Sequence, residues 1–409
     1  MGFIKSIKVK NFFSIKNELV LDFKASEYSI ENNLDRLFSF KDNYYNKVIS
    51  IYGANASGKT TILKSLMYIS KVITNEQTNY FPTGFKNKFA HKNSKSEIEL
   101  NFVIKSDKGI LTEFIYKIKF LSENHNLIGI DDESLYLISN NKKNKVFSRK
   151  EKKIKNVADN IINSVFDKLN SKVSLIEEFY KFDETEYLEQ IRFFVSGILG
   201  GSNVSVYQTK LGTTSADELL LANILEESSK EFSQGLESFL LGFLNSIGMD
   251  ITKIKVKFSN ENNEESKIVG IDIAHNLDEN EFLEFDLESD GTQMLMKILL
   301  DIFMIKLSES VLVLDEFDSI IHPMLTPILI NLLIENDIQL IYSTHNIYNM
   351  KFLQSDELFL IEKDKKHETT INAIKDNPLI KGFENLLSQY ENGTLGGVPQ
   401  IKSLYTKIL

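Results

Sequence analysis

Gly53-Ala54-Asn55-Ala56-Ser57-Gly58-Lys59-Thr60 decides how this chain reads. It follows Val48-Ile49-Ser50-Ile51-Tyr52, a strand-like run. It precedes Thr61–Ile73, where Ile62, Leu63, Leu66, Met67 and Ile69 share one helical side. A glycine-rich loop between strand and helix turns backbone N–H groups toward a β-phosphate, and the helix N-terminus adds its partial positive charge. In that setting Lys59 reaches the β/γ-phosphates and Thr60 offers its hydroxyl to Mg²⁺.

Three further stretches suit such a site. Val311-Leu312-Val313-Leu314-Asp315-Glu316 is an apolar run ending in two carboxylates, the pattern of a buried strand with its acids at the carboxyl end. Asp315 is expected to hold Mg²⁺ through water and Glu316 to polarise the attacking water; the plain alternative is an ordinary strand end. Leu340-Ile341-Tyr342-Ser343-Thr344-His345-Asn346 closes a second strand. His345 follows Glu316 by 29 residues, about one helix plus one strand, which brings it to the same sheet edge. There it meets a γ-phosphate or serves as a polar cap. Glu288-Ser289-Asp290-Gly291-Thr292-Gln293 directly precedes a helix. Ser289 or Asp290 reads as an N-cap. The second reading is a phosphate-binding helix N-terminus, which need not face Lys59 of the same chain.

Composition narrows the field. The 409 residues are 42% hydrophobic and 25% charged, which excludes a disordered tail or a fibrous repeat. Basic residues number 47 and acidic 57; the net charge of −10 excludes a basic nucleic-acid coat, though not a local basic stripe. The absence of Cys removes disulfides, thiolate metal sites and a cysteine nucleophile. Arginine occurs only at Arg36, Arg149 and Arg192, so bidentate phosphate clamps are few. The N-terminus lacks a long apolar run after its charges; Gly2 with Ser6 fits only a short acylation pattern. Met294–Ile305 and Val311–Leu314 are too short or interrupted to span a bilayer. A cytoplasmic location without membrane contact is expected.

Ile4–Phe23 reads as two strands around a turn. Glu97–Lys105 with Leu111–Phe120 reads as a hairpin, and Ser134–Ser139 with Lys145–Ser148 as another, turned at Asn140–Asn144. From Asn156 to Met249 helical periods dominate: Val157–Leu169, Glu186–Gly197, Ala216–Glu227 and Phe232–Ile247, with a Gly/Ser-rich break at Gly197–Gly212. Strands return at Ile251–Phe258 and Lys267–Asn276. Helix Thr292–Leu307, strand Val311–Leu314, helix Pro323–Glu335 and strand Gln339–Ser343 then alternate as in a parallel sheet. The expected fold is α/β, with a mixed sheet flanked by helices, an antiparallel β subdomain and an inserted, mainly helical subdomain. The expected boundaries are 1–155, 156–250 and 251–409.

Taken in order, these pieces resemble the head of an ABC-type ATPase of the RecF and SMC kind, a P-loop NTPase. Gly53–Thr60 resembles the Walker A loop, Ser289–Gln293 the signature motif in a diverged form, and Val311–Glu316 Walker B. Asp318 resembles the D-loop residue and His345 the switch histidine. Ile7–Ile15, with Asn11 and Ser14, is similar to the opening strand of these heads. Tyr390–Pro399 is similar to the tail of stand-alone prokaryotic defence ATPases of the RloA, AbiL and AriA type. The resemblance implies ATP contacts from Gly53, Asn55, Ala56, Ser57, Gly58, Lys59, Thr60, Thr61 and Asp318, with Ser289 and Gly291 supplied by a second subunit. It implies Mg²⁺ at Thr60 and Asp315, and catalysis by Lys59, Glu316 and His345. It further implies a homodimer that can build into larger oligomers, a separate nuclease or toxin effector, and a phage protein as trigger. The chain departs from the pattern in places. Asp290 and Thr292 stand where transporter-like signatures carry glycines. Gln77 is the only Gln between Lys59 and Gln190, so no clear Q-loop exists. Nothing after His345 resembles a Toprim nuclease.

Two functions compete. One is an abortive-infection ATPase that controls a separate effector by ATP-dependent assembly. The other is a RecF-like DNA-binding repair ATPase, whose contact would be Lys142, Lys143, Lys145, Arg149, Lys150, Lys152, Lys153 and Lys155; a solvated hairpin tip is the plainer reading of that run. A nuclease is the third and weakest, because His91, His125, His275 and His367 are scattered without metal-ligand spacing. The acidic balance and the lack of effector chemistry in the chain favour the first.

Overall fold

The computed structural model describes residues 2–74, 85–91, 93–106, 108–123, 126–150, 153–155, 172–183, 185–200, 229–258, 268–275, 281–316, 318, 321–364, 368–376 and 385–397. A central sheet carries six strands in the spatial order Leu199–Gly200, Val311–Asp315, Gln339–Ser343, Val48–Gly53, Leu358–Lys363 and Thr369–Ala373. Every pairing is parallel except the last. Both faces of this sheet are covered, which is why its strands are apolar without alternation. Ile49, Ile51, Val311, Val313, Ile341, Phe359 and Ile361 enter one core. Val48, Tyr52, Leu312, Leu314, Leu340, Tyr342, Leu358 and Leu360 enter a second.

The first core also holds the helix Lys59–Ile73 and the inner face of a seven-stranded antiparallel sheet. That sheet runs Lys153–Lys155, Lys142–Lys150, Asn126–Ser139, Leu111–Glu123, Ser96–Lys105, Phe3–Lys10 and Leu19–Asp22. Two helices from the 156–250 region, Leu175–Phe179 and Tyr187–Ser196, are built into this same core through Leu175, Phe179, Leu188 and Ile191. The second core gathers the helices Ser229–Ser246, Asp290–Ser308, Leu325–Glu335 and Leu386–Glu391. It also holds a three-stranded sheet of Ile251–Phe258, Ile268–His275 and Phe282–Glu284. The expected helices Val157–Leu169 and Ala216–Glu227, and Gln77, lie outside the described residues.

The second hairpin differs from its expected form. Its strands are longer, Asn126–Ser139 and Lys142–Lys150, and the connection shrinks to Asn140 and Asn141. Both asparagines have positive φ, 48° and 58°, the geometry of a tight turn that matches strand twist. The lysines first read as turn are therefore strand residues. Gly2 is buried, its N–H donates to the Glu309 carbonyl at 2.9 Å, and an added Cβ would meet Phe194 at 2.6 Å. The short acylation pattern thus falls on a glycine whose N–H is already bonded and whose surroundings leave no room for a side chain. Among the described residues no helix is long and apolar enough to cross a membrane.

Candidate functional site: a cavity at the carboxyl edge of the central sheet

The loop Gly53–Gly58 leaves the strand Val48–Gly53 and enters the helix at Lys59. Glycine is required at both ends. A Cβ on Gly53 (φ 153°) would lie 2.2 Å from the Ile361 carbonyl oxygen, and one on Gly58 (φ 118°) 2.6 Å from Thr369 Oγ1. Ala56 also has positive φ, 61°. The N–H groups of Thr61 and Ile62 return to the Gly58 carbonyl. Those of Lys59 and Thr60 keep no partner among the described residues, as expected of a first helical turn. Ser57 Oγ is buried and also without a partner there. Unpaired donors around a helix N-terminus fit an anionic phosphate.

The loop forms one wall of a cavity of about 850 Å³ lined by Ser14, Asn55, Ala56, Ser57, Gly58, Lys59, Thr60, Thr61, Glu316 and His345. Parallel pairing brings the opposite wall into place: Asp315 lies beside Ser343, and Ser343 beside Ile51. Glu316 then turns out of its strand in the left-handed region, φ 53°. For a side chain of this size that conformation costs roughly 1–3 kcal/mol. It is held by the Glu316 N–H, which donates to the Ser343 carbonyl at 3.0 Å and lies 3.2 Å from the Ser343 hydroxyl. The Ser343 hydroxyl donates to Asp315 Oδ1.

Three functional groups converge in the cavity. Lys59 Nζ donates to the carbonyls of Gly53 at 3.0 Å and Ala54 at 3.3 Å, and stands 2.9 Å from His345 Nε2. His345 Nε2 stands 3.2 Å from Glu316 Oε1. An ammonium only donates, so toward Lys59 the ring nitrogen accepts. Its 3.2 Å approach to Glu316 is a close polar contact on the same nitrogen. Burial pushes the Lys59 ammonium below the ordinary lysine range, and the carboxylates of Glu316 and Asp315 oppose that shift. Thr60 and Asp315 offer hard oxygen donors, the kind Mg²⁺ takes.

Other expected site residues lie elsewhere. Ser289 is exposed and caps the helix Asp290–Ser308, accepting from the Thr292 N–H at 3.2 Å. Neither it nor Gly291 lines the cavity. Asp318 is buried beneath the cavity's His345 loop, not on its wall. All three arginines are engaged with carboxylates: Arg36 with Glu357, Arg149 with Glu133, Arg192 with Glu177. Arg149 is thereby removed from the basic run, because alternation along Lys142–Lys150 turns it inward beside Phe147. Lys142, Lys143, Lys145 and Lys150 stay exposed. Side chains at 151–153 and 155 lie outside the described residues. His275 ends its strand and pairs with Glu288 at 2.6 Å. His125 and His367 are outside the described residues, among which no cluster of metal-ligating side chains occurs.

Ser14, Ser343 and Thr369 complete the site and were not singled out as site residues by sequence. Thr369 Oγ1 lies 3.0 Å from both Ser14 Oγ and the Ser57 carbonyl, and Ser14 Oγ donates to Thr61 Oγ1 at 3.2 Å. Ser14 is itself positioned by Phe13, whose N–H and carbonyl are held by the Phe85 carbonyl and Asn87.

A family model described as "AAA domain, putative AbiEii toxin, Type IV TA system" matches residues 48–350, from the strand before the phosphate loop to just past His345. The chain belongs to this family. The ABC-type P-loop ATPase of the RecF and SMC class expected from the motifs agrees with this AAA domain and with the strand–loop–helix geometry. Among solved structures the chain is similar to the SMC head domain from Thermotoga maritima: 16% identity, TM-score 0.41, covering 90% of this chain and 98% of that one. It is also similar to the Smc head with an extended coiled coil, bound to the C-terminal domain of ScpA, from Pyrococcus furiosus: 12% identity, TM-score 0.46, covering 96% and 99%. A third is the Smc head with a coiled coil and joint from Pyrococcus yayanosii: 9% identity, TM-score 0.47, covering 91% and 97%. No curated protein matches the chain.

Proposed function

We propose that this AAA-family chain hydrolyses ATP and uses the cycle to control a separate effector, a nuclease or toxin, in bacterial abortive infection. The observation that carries the reading is the convergence of Lys59, His345 and Glu316 on one cavity beside a phosphate loop. Backbone N–H groups and Lys59 hold the phosphates. Glu316, fixed by Ser343, orients and deprotonates the water. His345 leaves its contact with Lys59 and donates toward the γ-phosphate. Thr60 and Asp315 would hold Mg²⁺, which would supply positive charge beside the transferred group. No arginine takes part, since all three are engaged elsewhere.

Ser289 and Gly291 act on the cavity of a second subunit. The exposure of Ser289, and the absence of both residues from this chain's own cavity, support that arrangement, which is a two-fold dimer with two equivalent sites. The family description, which names a toxin of a toxin–antitoxin system, supports the defence role. Burial of Arg149 thins the basic run and withdraws support from a DNA-binding repair ATPase.

The test is phosphate release by the purified chain with ATP and Mg²⁺, together with co-purification from its native operon. Activity lost in Lys59→Ala, with a co-purifying effector, is the expected result. A chain that defends cells fully with no partner sinks the effector role, and hydrolysis indifferent to Lys59→Ala sinks the ATPase.

A further inference from the structure

Asp318 lies two residues past Glu316, and its carboxylate is turned into the protein, 7% exposed. A single oxygen, Oδ2, accepts from Thr344 Oγ1 and from Asn349 Nδ2, each at 2.6 Å. Both donors are fully buried, and they bracket His345. The bracketed segment is fastened at further points. Thr344 N–H donates to the Ile51 carbonyl at 3.2 Å, Asn346 N–H donates to Thr344 Oγ1 at 2.8 Å, and Tyr52 hydroxyl donates to the Asn346 carbonyl at 3.1 Å. His345 is thus the exposed crest of a loop whose two feet end on one carboxylate.

A charged acceptor with two buried donors is a stiff tie, since hydrogen bonds to ionised groups are the stronger class. It is also a tie that cannot be shared. With Oδ2 so occupied, and the side chain buried, Asp318 is poorly placed to reach a second subunit.

We propose that Asp318 is a positioning residue for His345 of its own chain, linking the segment that carries Glu316 to the loop that carries the histidine. The inference rests on the ATPase reading for its catalytic consequence. Its geometric content stands without it.

The experiment is a double-mutant cycle. Steady-state hydrolysis and the affinity for a fluorescent ATP analogue are measured for the wild type, Asp318→Ala, His345→Ala and the double variant. Asp318→Ala is expected to lower kcat about 10–100-fold, the scale of a misplaced catalytic group. Analogue affinity should stay within about twofold, and the double variant within about twofold of His345→Ala. Asp318→Asn should restore most of kcat: its carbonyl accepts from Thr344, and its amide can donate to Asn349 Oδ1, which is buried without a partner among the described residues. Independent effects that multiply overturn the proposal. So does an Asp318→Ala chain whose defect is lost ATP-dependent self-association, which is the signature of a contact between subunits.

A second readout does not depend on hydrolysis. In protein labelled with ¹³C-histidine, the His345 ring signal is assigned among six histidines by its loss in His345→Ala. Asp318→Ala should shift or broaden that signal and leave His275 unchanged. An unmoved His345 signal overturns the proposal even if the wild type proves inactive, whereas inactivity with a moved signal removes only the ATPase reading.

Discussion

The backbone N–H of Glu316 donates to the carbonyl of Ser343 over 3.0 Å, and through this bond the strand of Gln339–Ser343 sets the direction of the acid at the end of its neighbour. Glu316 is in a left-handed conformation that it would not adopt freely. Stored strain at this position points to a residue whose aim matters more than its comfort.

Glu316→Gln keeps the backbone bond and the volume but removes the base. It is expected to bind ATP as the wild type does and to hydrolyse it at least ~100-fold more slowly. Phosphate release with equilibrium nucleotide binding checks this. Unchanged turnover would remove Glu316 from its role.

Ser343→Ala deletes the hydroxyl that donates to Asp315 and leaves the carbonyl bond to Glu316 intact. Leaving a partly buried carboxylate short of a donor should cost about 1–3 kcal/mol. Urea unfolding in the absence of nucleotide measures it. A larger loss in kcat than in nucleotide affinity is expected as well, since the altered residue holds the acids and touches no phosphate.

Gly53→Ala places a methyl group 2.2 Å from a backbone oxygen of Ile361, which has no side-chain freedom with which to yield. The variant should lose nucleotide binding and at least about 2 kcal/mol of stability. Gly109→Ala is the control. Its φ of 78° carries the conformational penalty, but the space around it is open, so about 1 kcal/mol and normal nucleotide binding are expected.

Lys59 predicts a pH dependence. Its folded pKa lies below the ordinary value of 10.5 because burial disfavours the ammonium. Between the folded and the unfolded pKa the unfolded chain binds more protons, so stability must rise with pH across that window, which ends near 10.5. Below the folded pKa the penalty is fully present. Lys59→Met should therefore raise the urea midpoint at neutral pH and flatten the slope between that window's limits. A lower midpoint in Lys59→Met contradicts the burial argument.

Arg149→Ala separates a buried pair from a surface patch. Glu133 accepts from Arg149 Nη2 at 2.6 Å, from the Tyr116 hydroxyl and from the Leu175 N–H, and is fully buried. Removing the cation should cost roughly 3–5 kcal/mol. Lys143→Ala, on the exposed part of the same strand, should stay within about 0.5 kcal/mol. Thermal unfolding of the two variants decides between the readings.

Much of this was legible beforehand, and the physical reason is periodicity. Val48–Tyr52 and Val311–Leu314 are buried on both faces, so their apolar runs are unmistakable, and the phosphate loop follows from its glycines. Arg149 was misplaced because a run of lysines hides alternation: the strand turns Phe147 and Arg149 inward together. A lone arginine among lysines was the available signal. Leu358–Ile361, four apolar residues bounded by charges, likewise marked a strand that was passed over. Ser14, Ser343 and Thr369 had no such signal. Their roles come from hydroxyl contacts made only once distant strands have paired.

Lys59 and His345 are 286 residues apart in sequence. The strand that ends in the phosphate loop, Val48–Gly53, finds both its neighbours, Gln339–Ser343 and Leu358–Lys363, in the last quarter of the described chain. Such long-range parallel pairing is slow to form and costly in loop closure. During synthesis the loop emerges early and waits for its walls. A nucleotide that needs both walls therefore binds only after these distant strands have paired, and its binding marks the moment at which they have found each other.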